Sequence, residues 1–437
     1  MKKIELLSPA GNLEKLKIAF AYGADAVYGG VSHFSLRIRS GKEFTMESFK
    51  EGIDYAHSLG KKVYVTINGF PFNSQIELLK KHIANVASLE PDALIVATPG
   101  VVALCHEFAP GIPIHLSTQA NVMNYLDAKV YYDMGVKRII AAREISLKDV
   151  QLIKKELPDL EIEIFVHGSM CFAYSGRCLV SAVQMGRVPN RGSCANDCRF
   201  EYTLYAGNED HGSLFRLEEE EGVGTYIFNA KDMNLASHVD EIVKSGAVDS
   251  IKIEGRTKSP YYAAVTAYAY SMALQDSKND EFEAKKYQDE LNTTKNRGFT
   301  DAYLIHKPFD KNDTQNYEYA LSAGSYEVTG FVLEDQEYFL CKYKVYPNDG
   351  IDIEIFAPLN SVIEEVENEY GAIFKKDDGK YYVTFKKIVT QSEKELESVH
   401  SGNVNPIKLP GKLPYMTMLR IKSEEPVVSE VINESLV

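Results

Sequence analysis

The stretch RIIAAREISLKDVQLIKKELPDLEIEIFVH, Arg138–His167, reads as strand, helix, strand. A short apolar run reaches Arg143, and Ser146 then offers a side-chain acceptor at a helix start. Leu147, Val150, Ile153 and Leu157 recur every three or four residues before a second apolar run over Glu161–Val166. Two buried strands joined by an amphipathic helix form a parallel βαβ unit. The same alternation extends outward from Ile4 to Glu254, with strands predicted at Ile4–Pro9, Ala26–Gly29, Lys62–Asn68, Ala93–Thr98, Ile112–Ser117, Arg138–Arg143, Glu161–Val166 and Ser250–Glu254. Asn12 caps a helix over Leu13–Tyr22 that Gly23 stops, and Thr45–Ser48 opens Phe49–Leu59. Asn234–Ser245, with Gly246, fills the seventh interval. Only Gly168 to Phe228 breaks the rhythm, so it is an insertion. Eight parallel strands each followed by a helix predict a TIM barrel, with a doubly wound sheet as the alternative.

Beyond Thr257 a long helix carries Tyr261, Tyr262, Tyr268 and Tyr270 as a core face, and Asp276–Lys295 reads as a solvated second helix. From about Ala323 the period becomes two, with strands at Tyr326–Leu333, Tyr338–Val345, Asp352–Phe356 and Tyr381–Ile388. The organisation expected is a barrel domain over 1–320 with its insertion at 168–228, then a small β-barrel over 321–437. Asp310–Asn316 is the linker, and the acidic tail after Lys422 is frayed.

A chain of 437 residues, 45% hydrophobic and 25% charged, folds with a sizeable core, which excludes a disordered or fibrous protein. Its net charge of −14 makes a general DNA coat untenable and demands a local basic patch for any nucleic-acid partner. The first residues lack a secretory apolar region and no membrane-length apolar run occurs, so a soluble cytoplasmic protein is expected, without membrane or DNA partners.

Four of the six cysteines, Cys171, Cys178, Cys194 and Cys198, fall within 28 positions at spacing C-x6-C-x15-C-x3-C, all inside the insertion. Four thiolates in a Gly-rich loop can surround one soft metal centre, either a zinc tetrahedron or an iron–sulfur cluster. Cys105 and Cys341 stand alone and read as core residues. The insertion starts where the seventh strand ends, which puts the thiols at the face where barrel enzymes hold substrate.

The segment Glu163–Cys171, followed by Gly176-Arg177-Cys178-Leu179-Val180-Ser181, resembles the signature of peptidase family U32, the collagenase-like peptidases. Leu7-Ser8-Pro9-Ala10-Gly11 and Lys252-Ile253-Glu254-Gly255-Arg256 extend that resemblance over nearly the whole chain. The resemblance implies a TIM barrel whose four cysteines hold a 4Fe-4S cluster, in a family that includes oxygen-independent hydroxylases of RNA and of quinone precursors. Length and the extra β-rich region are most similar to the branch that makes 5-hydroxyuridine at the tRNA wobble position and depends on prephenate.

Such an enzyme must stack and edge-read a splayed base and grip nearby phosphates. Between His167 and Phe200, Arg177, Arg187, Arg191 and Arg199 face only Asp197, a local +3 (four minus one), whereas Glu201–Glu221 of the same insertion is strongly acidic; the arginines serve either RNA or the electrostatics of the cluster. Phe172 and Tyr174 are candidates for stacking. Strand ends contribute Ser8, Tyr28, Asn68, His115, Gln119, Arg143, Glu144, His167, Lys252 and Glu254, with Arg256 just beyond. Arg143 or Arg256 suits a small carboxylate co-substrate, and His167 or Glu144 suits proton transfer.

The rival is a peptidase. Gly168-Ser169-Met170 lacks the G-x-S-x-G elbow and H-E-x-x-H is absent, which leaves Cys171 with His167 or His115. The non-enzymatic rival is a metal-stapled RNA-binding module.

Overall fold

The computed structural model describes residues 3–31, 34–35, 44–208, 213–217, 228–308, 311–316, 324–348 and 350–423. The chain divides into two units: Met1–Phe20, Ala24–Glu290 and Asn296–Ser322 form the first, and Ala21–Gly23, Leu291–Lys295 and Ala323–Val437 the second.

In the first unit β1 (Glu5–Pro9), α1 (Leu13–Ala21), β2 (Ala26–Gly29), α2 (Met46–Ser58), β3 (Lys62–Ile67), α3 (Ile76–Ala87), β4 (Ala93–Val96), α4 (Pro99–Phe108), β5 (Ile114–Leu116), α5 (Tyr125–Asp133), β6 (Arg138–Ile140), α6 (Leu147–Glu156) and β7 (Glu161–Ser169) alternate. Side chains start these helices as the sequence implies. The Asn12 carboxamide accepts from the Lys15 amide at 3.0 Å, Thr45 and Ser48 form a reciprocal capping box, and Ser146 accepts from Asp149 N–H at 3.2 Å. After the insertion, with its helix α7 (Val180–Met185) and hairpin β8 (Leu204–Asn208) and β9 (Ser213–Leu217), come β10 (Asp232–Asn234), α8 (Val239–Ser245), β11 (Ser250–Ile253), α9 (Pro260–Lys278) and α10 (Ala284–Leu291). β1 to β7 pair in parallel sequence, and β11 pairs with both β1 and β7, so that Ile251 lies opposite Leu6 on one side and Ile164 on the other. That double pairing closes an eight-stranded TIM barrel. Leu7, Val27, Val63, Leu94, Leu116 and Ile251 are fully buried, the pattern of strands covered on both faces.

β7 is longer than predicted and reaches Ser169, so the insertion begins at Met170. Its last three residues pair antiparallel with β10, Asn234 lying opposite His167, while His167 also keeps its parallel pairing with Ile253 of β11, and β12 (Phe299–Thr300) adds to β10. The helix expected over Asn234–Ser245 therefore shrinks to Val239–Ser245. The Asn234 side chain accepts from Ala236 N–H at 3.0 Å, a local bond that competes with helix. Residues 311–316 are not a linker. They carry the short helix α11 (Lys311–Thr314), and the Asn316 amide donates to the Asn229 carbonyl at 2.8 Å, tying the segment to the end of the insertion; Asp310 lies outside the described residues. Tyr261, Tyr262 and Tyr270 of α9 are buried, as a core face requires, whereas Tyr268 is only half-buried.

The second unit is an antiparallel sheet of eight strands, β13 (Tyr326–Val332), β14 (Tyr338–Cys341), β15 (Ile353–Phe356), β16 (Val366–Glu367), β17 (Gly371–Lys375), β18 (Tyr381–Phe385), β21 (Ile407–Lys408) and β22 (Met418–Lys422), with β19 (Ile388–Val389) and β20 (Glu395–Leu396) as a separate ribbon. Among the described residues its end strands, β16 and β21, do not pair, so the sheet curls into a half-barrel over Phe339, Cys341, Val383, Phe385 and Leu419. Cys341 and Cys105 are core residues. The acidic tail, 424–437, lies outside the described residues.

Candidate functional site

Inside the barrel the strands bring charges together. Arg138 of β6 bonds Glu5 of β1 and Glu163 of β7 and reaches Glu161, while the Lys252 ammonium of β11 donates to Glu163 at 2.9 Å. Burial opposes every charge here. The opposite charges win for Arg138, which Glu163 and Glu5 hold protonated, and for Glu163, which Lys252 and Arg138 hold ionised. His115 packs edge-on to Tyr64 at 4.7 Å, and burial, followed by Arg138, Lys252 and Lys62, pushes it well below the ordinary histidine range, so it is neutral.

Above this layer a cavity of about 390 Å³ opens at the carboxyl ends of the strands. The barrel contributes Tyr28, Thr66, Asn68, Ser117, Gln119, Arg143, Phe165, Lys252, Glu254 and Arg256. The wall is braced by its own hydrogen bonds. Tyr28 O–H donates to a Glu254 carboxylate oxygen at 3.0 Å, and Arg256 Nη1 donates to the hydroxyls of Ser35 at 2.8 Å and Thr66 at 3.0 Å. The Arg143 guanidinium lies 4.2 Å from the centroid of Phe165, and the Lys252 ammonium 4.2 Å from that of Tyr28, both cation–π distances.

The insertion supplies the roof, including all four clustered cysteines, which are free thiols and line this one cavity. Two glycines let the loop sit so low. At Gly176, φ is +72° and a Cβ would stand 2.4 Å from the Gln119 carbonyl oxygen; at Gly168, φ is +109° and a Cβ would stand 2.3 Å from that of Glu254. The Glu144 carboxylate accepts from Ser175 N–H at 3.0 Å, and the Asn190 carboxamide donates to the Gly176 carbonyl at 3.0 Å. Burial, with Cys171 and Cys194 close by, raises the thiols of both Cys178 and Cys198, so the four sulfurs share one electrostatic neighbourhood. As placed, no three His, Cys, Asp or Glu side chains among the described residues converge tightly enough to hold an ion. The donor chemistry nevertheless fits a soft metal centre: four free thiols around one cavity beside Arg199, with Cys171 and Cys194 exposed.

Of the predicted site residues, the cavity gathers Asn68, Gln119, Arg143, Arg199, Lys252, Glu254, Arg256 and the four cysteines, with Phe172 and Tyr174 at its mouth. It does not gather His167, His115, Glu144, Ser8, Arg177, Arg187 or Arg191. His167 is 2% exposed, with its ring 5.8 Å from Tyr262, 5.6 Å from Tyr270 and 5.5 Å from Phe299 between centroids, and burial lowers it to about 3. Glu144 acts on the loop rather than in the cavity. Arg191 lies just outside, its guanidinium 4.0 Å from the centroid of Phe72. Thr66 and Ser117, both in predicted strand ends, were not singled out, since small hydroxyls there carry no distinguishing pattern. Ser35 lies in a loop without any signal.

Against known proteins, the sequence model of peptidase family U32 matches residues 11–314. A protein of Helicobacter pylori named tRNA hydroxylation protein P is 60% identical over 96% of this chain and 99% of its own length. The Escherichia coli protein of that name is 39% identical, over 85% of this chain and 90% of its own. A 23S rRNA 5-hydroxycytidine synthase of Escherichia coli is 32% identical over 69% of this chain and 45% of its own. Among the described residues no helix is long and apolar enough to cross a membrane.

Proposed function

The chain belongs to peptidase family U32, and from that premise we propose that it hydroxylates RNA, converting a tRNA wobble uridine to 5-hydroxyuridine with an iron–sulfur cluster and prephenate. The observation that carries this reading is that four free thiols, Arg143 and Arg199 line one cavity at the catalytic face of a TIM barrel. Relatives named for tRNA hydroxylation and for rRNA 5-hydroxycytidine synthesis support the substrate class. Cys171, Cys178, Cys194 and Cys198 would hold the 4Fe-4S cluster, whose chemistry is one-electron exchange and the binding of oxygen-bearing ligands.

The chain's own residues hold and orient. Phe172 and Tyr174, 48% and 59% exposed at the mouth, offer rings on which an extruded base can stack. Arg143, positioned over Phe165, presents a planar fork to a carboxylate such as those of prephenate. Arg256 is already committed to Ser35 and Thr66, and Lys252 to Glu163, so both shape the wall. A cysteine-peptidase reading needs a histidine beside Cys171; among the described residues none lines the cavity.

The test is anaerobic purification with assay of iron, acid-labile sulfide and zinc, alongside Cys194→Ser, followed by mass spectrometry of tRNA from cells lacking the gene. Near four iron and four sulfide per chain, lost in the variant, with 5-hydroxyuridine absent from the deletion strain, is the expected result. Zinc, or undiminished 5-hydroxyuridine in that strain, would sink the proposal.

A further inference from the structure

The loop after β3 reads Asn68-Gly69-Phe70-Pro71-Phe72-Asn73-Ser74-Gln75. Phe72 stands 57% exposed at its tip, a large apolar surface that the fold itself leaves in solvent. It is nevertheless held firmly. The Gln75 Oε1 accepts from Phe72 N–H at 3.0 Å and from Arg191 Nη2 at 3.0 Å, so one oxygen fixes both members of a stack in which the Arg191 Cζ lies 4.0 Å from the ring centroid. The stack joins the barrel to the cysteine insertion. Phe70 N–H donates to the Asn190 carbonyl at 3.1 Å, and Asn190, next to Arg191, lines the cavity together with Asn68.

We propose that the Phe72–Arg191 pair is a nucleobase platform at the rim of the cavity, which stacks the single-stranded nucleotide adjacent to the one that enters. This rests on the RNA-hydroxylase reading. An exposed ring offers a face that accepts any base, and the guanidinium beside it supplies positive charge where the neighbouring phosphate must pass. The Phe70–Asn190 and Gln75–Arg191 hydrogen bonds also join the two loops, so the stack is not their sole bridge, and the ring keeps 57% exposure that the bridge does not use. Arg191 lies in the segment 168–200, whose four arginines face one acid, a local +3 on a chain of net charge −14 that favours an RNA strand there.

The experiment is equilibrium binding of a fluorescently labelled RNA hairpin with a single-stranded loop, to the anaerobically prepared holoenzyme and its Phe72→Ala, Phe72→Trp and Arg191→Lys variants, each first matched to wild type in iron content. Phe72→Ala is expected to weaken binding about tenfold. Phe72→Trp restores it to within about twofold, and Arg191→Lys weakens it while keeping the salt dependence, because the charge stays and the planar stack goes. Binding by Phe72→Ala within about twofold of wild type overturns the platform. Mass spectrometry of the same RNA after reaction separates the two ideas. Platform-dependent binding without 5-hydroxyuridine sinks the function and leaves the platform, whereas wild-type protein that does not bind the hairpin sinks both.

Discussion

His167 stands four residues before Cys171, and in sequence that proximity points to the substrate. The structure turns it the other way, against Tyr262 and Tyr270 of α9, about a hundred residues further along, with Nδ1 3.4 Å from the Tyr270 hydroxyl. Spacing reports which residues are neighbours on a strand; it does not report which face a distant helix will cover. The consequence is a pH dependence. Burial holds His167 at about 3 in the folded chain, against about 6.5 unfolded, and His115 is displaced in the same direction. Below about 6.5 the unfolded state binds protons that the folded state refuses, so stability is complete above that pH and declines steadily toward 3, by up to about 1.4 kcal/mol per pH unit for His167, with His115 adding in the same direction. Thermal unfolding between pH 7 and 5 should show a falling midpoint, and His167→Gln should flatten the fall. An equal slope in the variant would show that the acid sensitivity arises elsewhere.

Among the elements, β7 and the loop that follows it carry most of the site. Cysteine spacing made the loop legible, and the period of the βα units made its place at the barrel rim legible. The overhang of β7 and its partner β10 were not, because antiparallel pairing across an insertion of some sixty residues leaves no local pattern. β22 was also missed: Arg420 interrupts its apolar run, and only the structure shows that residue buried against Glu354 of β15. Gly176 is the pivot of the loop. Gly176→Ala places a Cβ against the Gln119 carbonyl at a φ that side chains avoid, a strain of about 1–3 kcal/mol that the exposed loop relieves by lifting from the rim. We expect iron per chain to fall while the barrel's unfolding midpoint holds; retention of full iron would show that the low seat of the loop is not needed. Arg138→Met tests the opposite kind of element, the buried charge layer. It leaves Glu163 facing Lys252 alone and Glu5 without its guanidinium, and should cost about 3–5 kcal/mol in urea unfolding. A loss under about 1 kcal/mol would mean that water or a rearranged lysine replaces the arginine.

At the scale of the molecule, the fold was legible because its two periods are unlike, helix-and-strand alternation giving way to strict alternation near Ala323. Buried polar contacts such as those of Ser35, Thr66 and Glu163 were not, since their partners lie tens to hundreds of residues away. Charge is read most directly at this scale. A chain of −14 disfavours a polyanion overall, and within the insertion only residues 168–200, where four arginines face one acid, offer it net positive charge; residues 201–221 are strongly acidic. RNA association should therefore be local and shallow in its salt dependence, unlike that of a protein coated with lysine. Each phosphate neutralised on a single strand contributes a slope of about −0.7 in log affinity against log salt. With Arg177, Arg191 and Arg199 as contacts, the expected slope is about −2. The double variant Arg177→Gln with Arg191→Gln should reduce it by about 1.4, while a variant at lysines of the half-barrel, Lys375→Gln with Lys387→Gln, should leave it unchanged. Titrating the labelled hairpin at four salt concentrations measures all three slopes. If the lysine variant lowers the slope and the arginine variant does not, RNA is held by the second unit, and the arginines of the insertion serve the cluster alone.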